Sequence, residues 1–308
     1  MRRVPELNLR QYTDGTPDAR QEFSRALMHG LQDYGFVVLS GHGIPVASLE
    51  RAYQEAETLF ARPLNWKMQY AGGMRGYTPF GKEHAKNTSV ADLKEFWQIG
   101  PDARPPGEDS TVFPDNIWPD DTANFNDAFR DLYARLAATG RKVLEALTPE
   151  LDLPRWWFDD KVDQGPSLLR ILHYPPVPAD ADPKAVRSAA HEDINFLTLM
   201  PAEKGAGLEL LDRDGKWLPV IAEPETLIVD SGDMLARLTN DAIPATTHRV
   251  VNPQGPNVSR YSMPFFFHPN NSMSLACLPS CEGKGKRYPD VTAGEFLAER
   301  LRQIGLTK

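Results

Sequence analysis

The chain has 308 residues, room for one large domain or two modest ones, and its 41% hydrophobic and 25% charged residues read as an ordinary globular protein. The formal net charge of -8 argues against a nucleic-acid partner, which needs a basic surface, and no apolar run approaches the roughly 18 residues of a membrane span. Cys277 and Cys281 cannot build a disulfide framework and the N-terminal MRRVPELNLRQY has no apolar signal core, so the expected compartment is the cytoplasm.

In chain order, Phe23, Leu27, Leu31 and Tyr34 recur at helical spacing and predict a helix over 17–34 that Gly35 ends. A short buried strand, Phe36 to Leu39, and a turn at Gly41-His42-Gly43 follow. Leu49, Ala52, Tyr53, Ala56 and Phe60 predict a second helix from Val46 to Phe60, stopped at Arg62-Pro63. Residues 70–120 are rich in glycine, proline and charge, and read as an irregular segment of the kind that covers a site. The longest helical stripe runs from Phe125 to Leu147. From about residue 167 the texture changes to short β-like runs, among them LLRILHY, INFLTLM, TLIVDSG and RYSMPFFF, which predict a sandwich or barrel. Thr292 and Glu295 fit a capping box for a closing helix that carries Phe296, Leu297, Leu301 and Ile304. The expected layout is an α-rich segment and middle loop over 1–115, a long backbone helix within 116–160, a jelly-roll core over 161–275 and a closing helix over 276–308. The fold class is mixed α/β with a mainly β core.

Within SAAHEDINFLTLM, a strand continuing through residues 191–200 would point His191 and Asp193 to one face. Of the seven histidines (His29, His42, His84, His173, His191, His248 and His268), His248 in PATTHRVV is the best third donor, from a distant strand. Two imidazoles and one carboxylate on one side leave coordination positions open, as at a non-haem Fe(II) centre, although zinc accepts the same donors. In SRYSMPFFFHPN, Arg260 and Ser262 share a strand face. Arginine offers a planar fork to a carboxylate, and an inward arginine is costly unless an anion meets it. A structural ion pair is the plainer reading of Arg260 taken alone.

Together, His191-x-Asp193, His248 and Arg260-x-Ser262 resemble the signature of the Fe(II)/2-oxoglutarate-dependent dioxygenases, in their isopenicillin N synthase-like branch. DYGFVVLSGHGIP, RGYTPFG, DLKEFWQIG, LLRILHYPP and VDSGDMLARLTN resemble further segments of that branch, so the likeness covers nearly the whole chain. The resemblance implies a distorted jelly-roll, or double-stranded β-helix, with flanking helices. It implies Fe(II) on His191, Asp193 and His248, with 2-oxoglutarate and O2 as cosubstrates. The distal carboxylate of 2-oxoglutarate would meet Arg260, Ser262 and Tyr174. A C–H bond of a small molecule would be hydroxylated, desaturated or cyclised, with release of succinate and CO2. Arg75, Tyr77, Asn195 and Phe196 are the implied substrate contacts. One departure stands out: the asparagine often found two residues before the tyrosine is Leu172 here. Some branch members are oxidases that use no oxoglutarate and keep the Arg-x-Ser pair for a substrate carboxylate. That activity, a zinc hydrolase with the same ligands and a non-catalytic β-sandwich binding module are the rival readings.

Overall fold

The computed structural model describes residues 3–83, 90–111, 113–202 and 207–303. His84 and Ile304 lie outside these residues. In chain order the strands and α-helices are β1 (Glu6–Asn8), α1 (Arg10–Thr13), α2 (Pro17–Tyr34), β2 (Phe36–Ser40), α3 (Val46–Phe60), α4 (Leu64–Lys67), β3 (Ala71–Gly72), β4 (Arg75–Thr78), β5 (Glu95–Ile99), α5 (Ala123–Leu147), α6 (Asp159–Val162), β6 (Leu168–Tyr174), β7 (Ser188–His191), β8 (Leu197–Pro201), β9 (Leu208–Leu211), β10 (Trp217–Pro219), β11 (Leu227–Ser231), α7 (Asp233–Leu238), β12 (His248–Val250), β13 (Arg260–Ser262), β14 (Phe265–Phe267) and α8 (Ala293–Gln303). Residue choice explains the helix ends. The Thr16 hydroxyl accepts from the Ala19 amide at the start of α2, and Gly35 closes it at φ 67°, a left-handed conformation that glycine adopts without steric cost. The capping box expected at Thr292 and Glu295 is formed reciprocally, with Thr292 N to Glu295 Oε2 at 2.8 Å and Glu295 N to Thr292 Oγ1 at 3.2 Å.

Ten strands form one large sheet, in the order β1-β2-β11-β8-β14-β6-β5-β4-β3 with β13 also paired to β6; β10-β9-β12-β7 form a smaller one. The large sheet is covered on both faces. Val37, Leu39, Leu169, Ile171, Leu197, Leu199, Leu227, Val229, Phe265 and Phe267 pack in the main core with side chains of α2, α3 and α5. Their alternate neighbours Phe36, Val38, Met200 and Ile228 instead join Leu208, Leu210 and Val250 of the small sheet. Strand alternation therefore decides which residues can enter a site between the sheets. On β6, Arg170, Leu172 and Tyr174 turn inward, whereas His173 turns toward the helices and stacks on Tyr261, with centroids 4.7 Å apart.

Two expectations need correction. The segment over 70–120 is not wholly irregular: β4 and β5 pair antiparallel and extend the large sheet from β6. Every residue of β5 is buried, so no polar alternation marks it in the sequence. Nor does a strand run from His191 to Asp193. β7 ends at His191, and Asp193 sits in the connection to β8.

Candidate active site

His191 ends β7 and His248 begins β12, directly across an antiparallel pair. Asp193 completes the group: its Oδ1 lies 3.8 Å from His191 Nε2 and 3.9 Å from His248 Nε2. One donor atom from each of the three lies within 4.8 Å of the others. Each imidazole is oriented from behind. His191 Nδ1 is 2.8 Å from the Ala189 carbonyl and His248 Nδ1 is 3.1 Å from the Thr246 carbonyl. Protons on both Nδ1 atoms leave the Nε2 lone pairs facing one point, which is what a metal requires. Burial, reinforced by His248, lowers the His191 pKa and keeps this ring neutral. Two imidazoles and a carboxylate on one side, with the other side open, fit Fe(II).

The Asp193 loop is held by the segment after β11. The amides of Asp233 and Met234 donate to the carbonyls of Asp193 and Ile194 at 2.7 and 3.1 Å, and Gly232 N donates to Phe196 O at 3.1 Å. A Cβ on Gly232 would come within 2.4 Å of the Asn195 carbonyl oxygen, so only glycine lets the two loops approach this closely. Asn195 Nδ2 donates to Thr198 Oγ1 at 3.0 Å, and the Thr198 hydroxyl donates to Asp193 Oδ2. This relay leaves Oδ1 turned toward the histidines.

Two cavities meet at the triad. The smaller, about 70 Å³, lies between the sheets and is lined by Phe36, Met200, Leu208, Ile228 and Val250 together with Tyr174, Arg260 and Ser262. Arg260 is buried, with its guanidinium 4.9 Å from the Tyr174 ring centre. Ser262 Oγ is 3.0 Å from Met200 Sδ, a weak acceptor that a carboxylate oxygen would better replace. Alternation brings all three into one pocket, since Arg260 pairs with Tyr174 and Ser262 with Leu172 across β13 and β6. Asp230, buried in this cavity beside His248, carried no signal in the sequence; burial and then Asp193 and Asp233 raise its pKa.

The larger cavity, about 740 Å³, opens on the other side of His191 and Asp193 and is roofed by residues of α8, including Leu297, Arg300 and Leu301. One wall is a buried ionic network that the sequence did not predict. Lys94 Nζ lies 2.8 Å from both Glu83 and Asp92, and Arg170 Nη1 lies 3.1 Å from Glu83. Asp92 also accepts from the Ala189 amide at 3.0 Å, tying the network to the strand that carries His191. An arginine in the middle of the apolar run LLRILHY is the one sequence signal for it. His268, a buried imidazole whose pKa burial lowers to about 4, lines the same cavity.

Of the four expected substrate contacts, Arg75 and Asn195 line this cavity and Tyr77 and Phe196 do not. Tyr77 shares a face of the sheet with Trp97, which it pairs across β4 and β5, and its hydroxyl donates to Glu95. Lys67 and His173 reach the same carboxylate at 2.7 and 2.8 Å, so Tyr77 belongs to a buried network on the helical side of the sheet. Phe196 is fully buried against Phe158 in the main core.

Comparison with known proteins agrees with this geometry. Residues 165–269 match the 2OG-Fe(II) oxygenase superfamily, and residues 4–121 match the N-terminal family described as non-haem dioxygenase in morphine synthesis. A 2-oxoglutarate-Fe(II) type oxidoreductase of Emericella nidulans is 30% identical, over 94% of this chain and 86% of its own. The chain belongs to the 2-oxoglutarate/Fe(II) oxygenase superfamily. Among solved structures, a 2OG-Fe(II) oxygenase family protein from Caulobacter crescentus is 42% identical with a TM-score of 0.86, covering 97% of this chain and 98% of its own. A full-length Neurospora crassa protein in complex with 2-oxoglutarate and thymine is 26% identical with a TM-score of 0.87, covering 97% and 96%. The fold is thus the double-stranded β-helix with flanking helices, and the activity is that of a dioxygenase using Fe(II), 2-oxoglutarate and O2. Among the described residues, no helix is long and apolar enough to cross a membrane.

Proposed function

We propose that this oxygenase oxidises a C–H bond of a small molecule held in the larger cavity, with His191, Asp193 and His248 as the iron ligands. The observation that carries the reading is the convergence of those three residues at the junction of two chemically different cavities. When bound, Fe(II) and 2-oxoglutarate supply the oxidising power, with O2 as oxidant and succinate and CO2 as products. The chain supplies placement. Arg260, Ser262 and Tyr174 anchor the distal carboxylate of 2-oxoglutarate in the small cavity, where the buried position of Arg260 strengthens a charge-assisted hydrogen bond. Thr198, Asn195 and the Gly232 loop hold Asp193 at the metal. Arg75 and Asn195 stand on the substrate side. The larger cavity has the size of a small-molecule site. A bound thymine in the Neurospora crassa structure supports a substrate of that class.

The test is an anaerobic Fe(II) titration with and without 2-oxoglutarate, following the visible metal-to-ligand charge-transfer band. The band should need both components and vanish in His191→Ala. Iron binding without a band on adding oxoglutarate would point instead to an oxidase that does not use it.

A further inference from the structure

The larger cavity carries a charge left unmatched by the fold. Three of the cations that line it have acidic partners: Lys94 with Glu83 and Asp92, Arg170 with Glu83, and Arg300 with Asp233 at 2.9 Å. Arg302 lies exposed, donating to a carbonyl of its own helix. Arg75 is different. It lines the cavity yet is only 3% exposed. Among the described residues no carboxylate lies within ion-pairing distance of it. Its one hydrogen bond among them is from Nη1 to the carbonyl of the preceding Met74, at 2.8 Å, and its Nε has no acceptor. The titratable side chain whose charge it feels is Tyr133, whose pKa burial raises well above neutrality, so that it is a neutral phenol at physiological pH.

The space for this guanidinium is made by a neighbouring residue. A Cβ on Gly100 would come within 2.2 Å of Arg75 Nη2 and 2.5 Å of Cζ, so any larger residue would push the fork away. A buried cation without a counter-charge lowers folding stability, and a matched anion restores what that burial costs on binding. Arg260 is a second buried arginine beside the triad, on the cosubstrate side.

Resting on the oxygenase reading above, we propose that the substrate is a small organic acid, and that Arg75, seated against Gly100, binds its carboxylate in the larger cavity. The anion would fix one end of the molecule while the bond to be oxidised faces the iron. A cavity of 740 Å³ corresponds to a sphere about 11 Å across, which suits an acid of one or two rings.

The test uses protein loaded anaerobically with Fe(II) and saturating 2-oxoglutarate. Three matched pairs are titrated by calorimetry and thermal shift: benzoate with benzamide, indole-3-acetate with indole-3-acetamide, and N-acetylproline with its carboxamide. At least one acid should bind about tenfold or more tighter than its amide, the scale of one charged hydrogen-bonded contact. Arg75→Gln should bring that ratio to within about twofold. Gly100→Ala, which keeps the arginine and displaces it, should lower the ratio too, and Arg75→Lys should retain part of it. If Arg75→Gln does not fold, the Gly100→Ala and Arg75→Lys results decide. No acid preference in the wild type would overturn the proposal. So would a preference that survives Arg75→Gln, because it would then belong to Arg260 or the iron. Failure of the oxygenase reading is separate: the charge-transfer band would be absent before any acid is added.

Discussion

The two cavities at the triad are built by different means. The small one is a product of strand alternation: alternate residues of β6, β8, β11, β12 and β13 point into it, so that an apolar set of Leu172, Met200, Ile228 and Val250 is interleaved with Tyr174, Thr198, Asp230, Arg260 and Ser262. The large one draws on more scattered parts: β4 at Arg75, β6 and β7, the side chains of Glu83, Asp92 and Lys94, the Asp193 loop and α8. The first has strands fixed by hydrogen-bonded neighbours and suits a ligand that never changes. The second is held by side-chain ion pairs and one docked helix, and part of its lining lies on connections outside the sheets.

That contrast can be broken at several points. His191→Ala removes a ligand shared by both sides, and iron binding should be lost outright in an anaerobic titration; retained binding would rule out the triad as the iron site. Lys94→Met strikes the ionic wall of the large cavity, which borders the small one as well. It leaves Glu83 and Asp92 buried with less counter-charge, and should cost about 3 to 5 kcal/mol in chemical denaturation. A loss below about 1 kcal/mol would show the wall to be solvated. Arg260→Ala strikes only the small cavity. Oxoglutarate should bind about 100-fold more weakly by calorimetry, the cost of removing one partner of a buried charged pair, while Fe(II) affinity holds. Thr198→Val leaves both cavities lined but frees Asp193 Oδ2, and should weaken Fe(II) binding by about tenfold. The smallest effect is one of pH. Burial opposes the Glu83 charge, but Arg170 and Lys94 more than offset it and hold the carboxyl at about 2. A folded-state value below the unfolded one gives stability that is present above about pH 4.3 and is lost as the pH falls toward 2. Glu83→Gln should flatten the fall of the melting temperature across that window. An unchanged slope would assign the acid sensitivity elsewhere.

The same contrast governs what could be read in the sequence. The helices over 17–34, 46–60 and 125–147, the capping box at Thr292 and the strand set after 167 are periodic or carry end signals, and they are legible. Arg260 and Ser262 can be placed on one strand face from their spacing, but Arg260 alone reads more plainly as an ion pair, and only the His191, Asp193 and His248 pattern turns it toward an anion. His191 and Asp193 stand out in the sequence for a reason the structure does not support. They converge because backbone amides at the start of α7 hold the Asp193 loop, not because a strand carries both. That tie is long-range and leaves no local trace beyond Gly232. Tyr77 shows the opposite failure. Two residues before it Arg75 lines the cavity, but Gly76 between them has φ 69° and the β3–β4 register shifts there, so Tyr77 sits opposite Trp97 and donates to Glu95 on the helical side; no pattern could reveal this while β4 and β5 read as loop. The network of Glu83, Asp92, Lys94 and Arg170 joins residues far apart in sequence, so only Arg170, charged in the middle of an apolar run, hinted at it.

The proposed division of labour puts the cosubstrate in the small cavity and leaves the large one for the molecule to be oxidised. A crystal structure of the anaerobic Fe(II)–2-oxoglutarate complex tests this without an intermediary. Iron is expected on His191, Asp193 and His248, with the distal carboxylate of 2-oxoglutarate on Arg260 and Ser262 and the large cavity free of it. Density for 2-oxoglutarate in the large cavity, with its distal carboxylate on Arg75, would contradict that division.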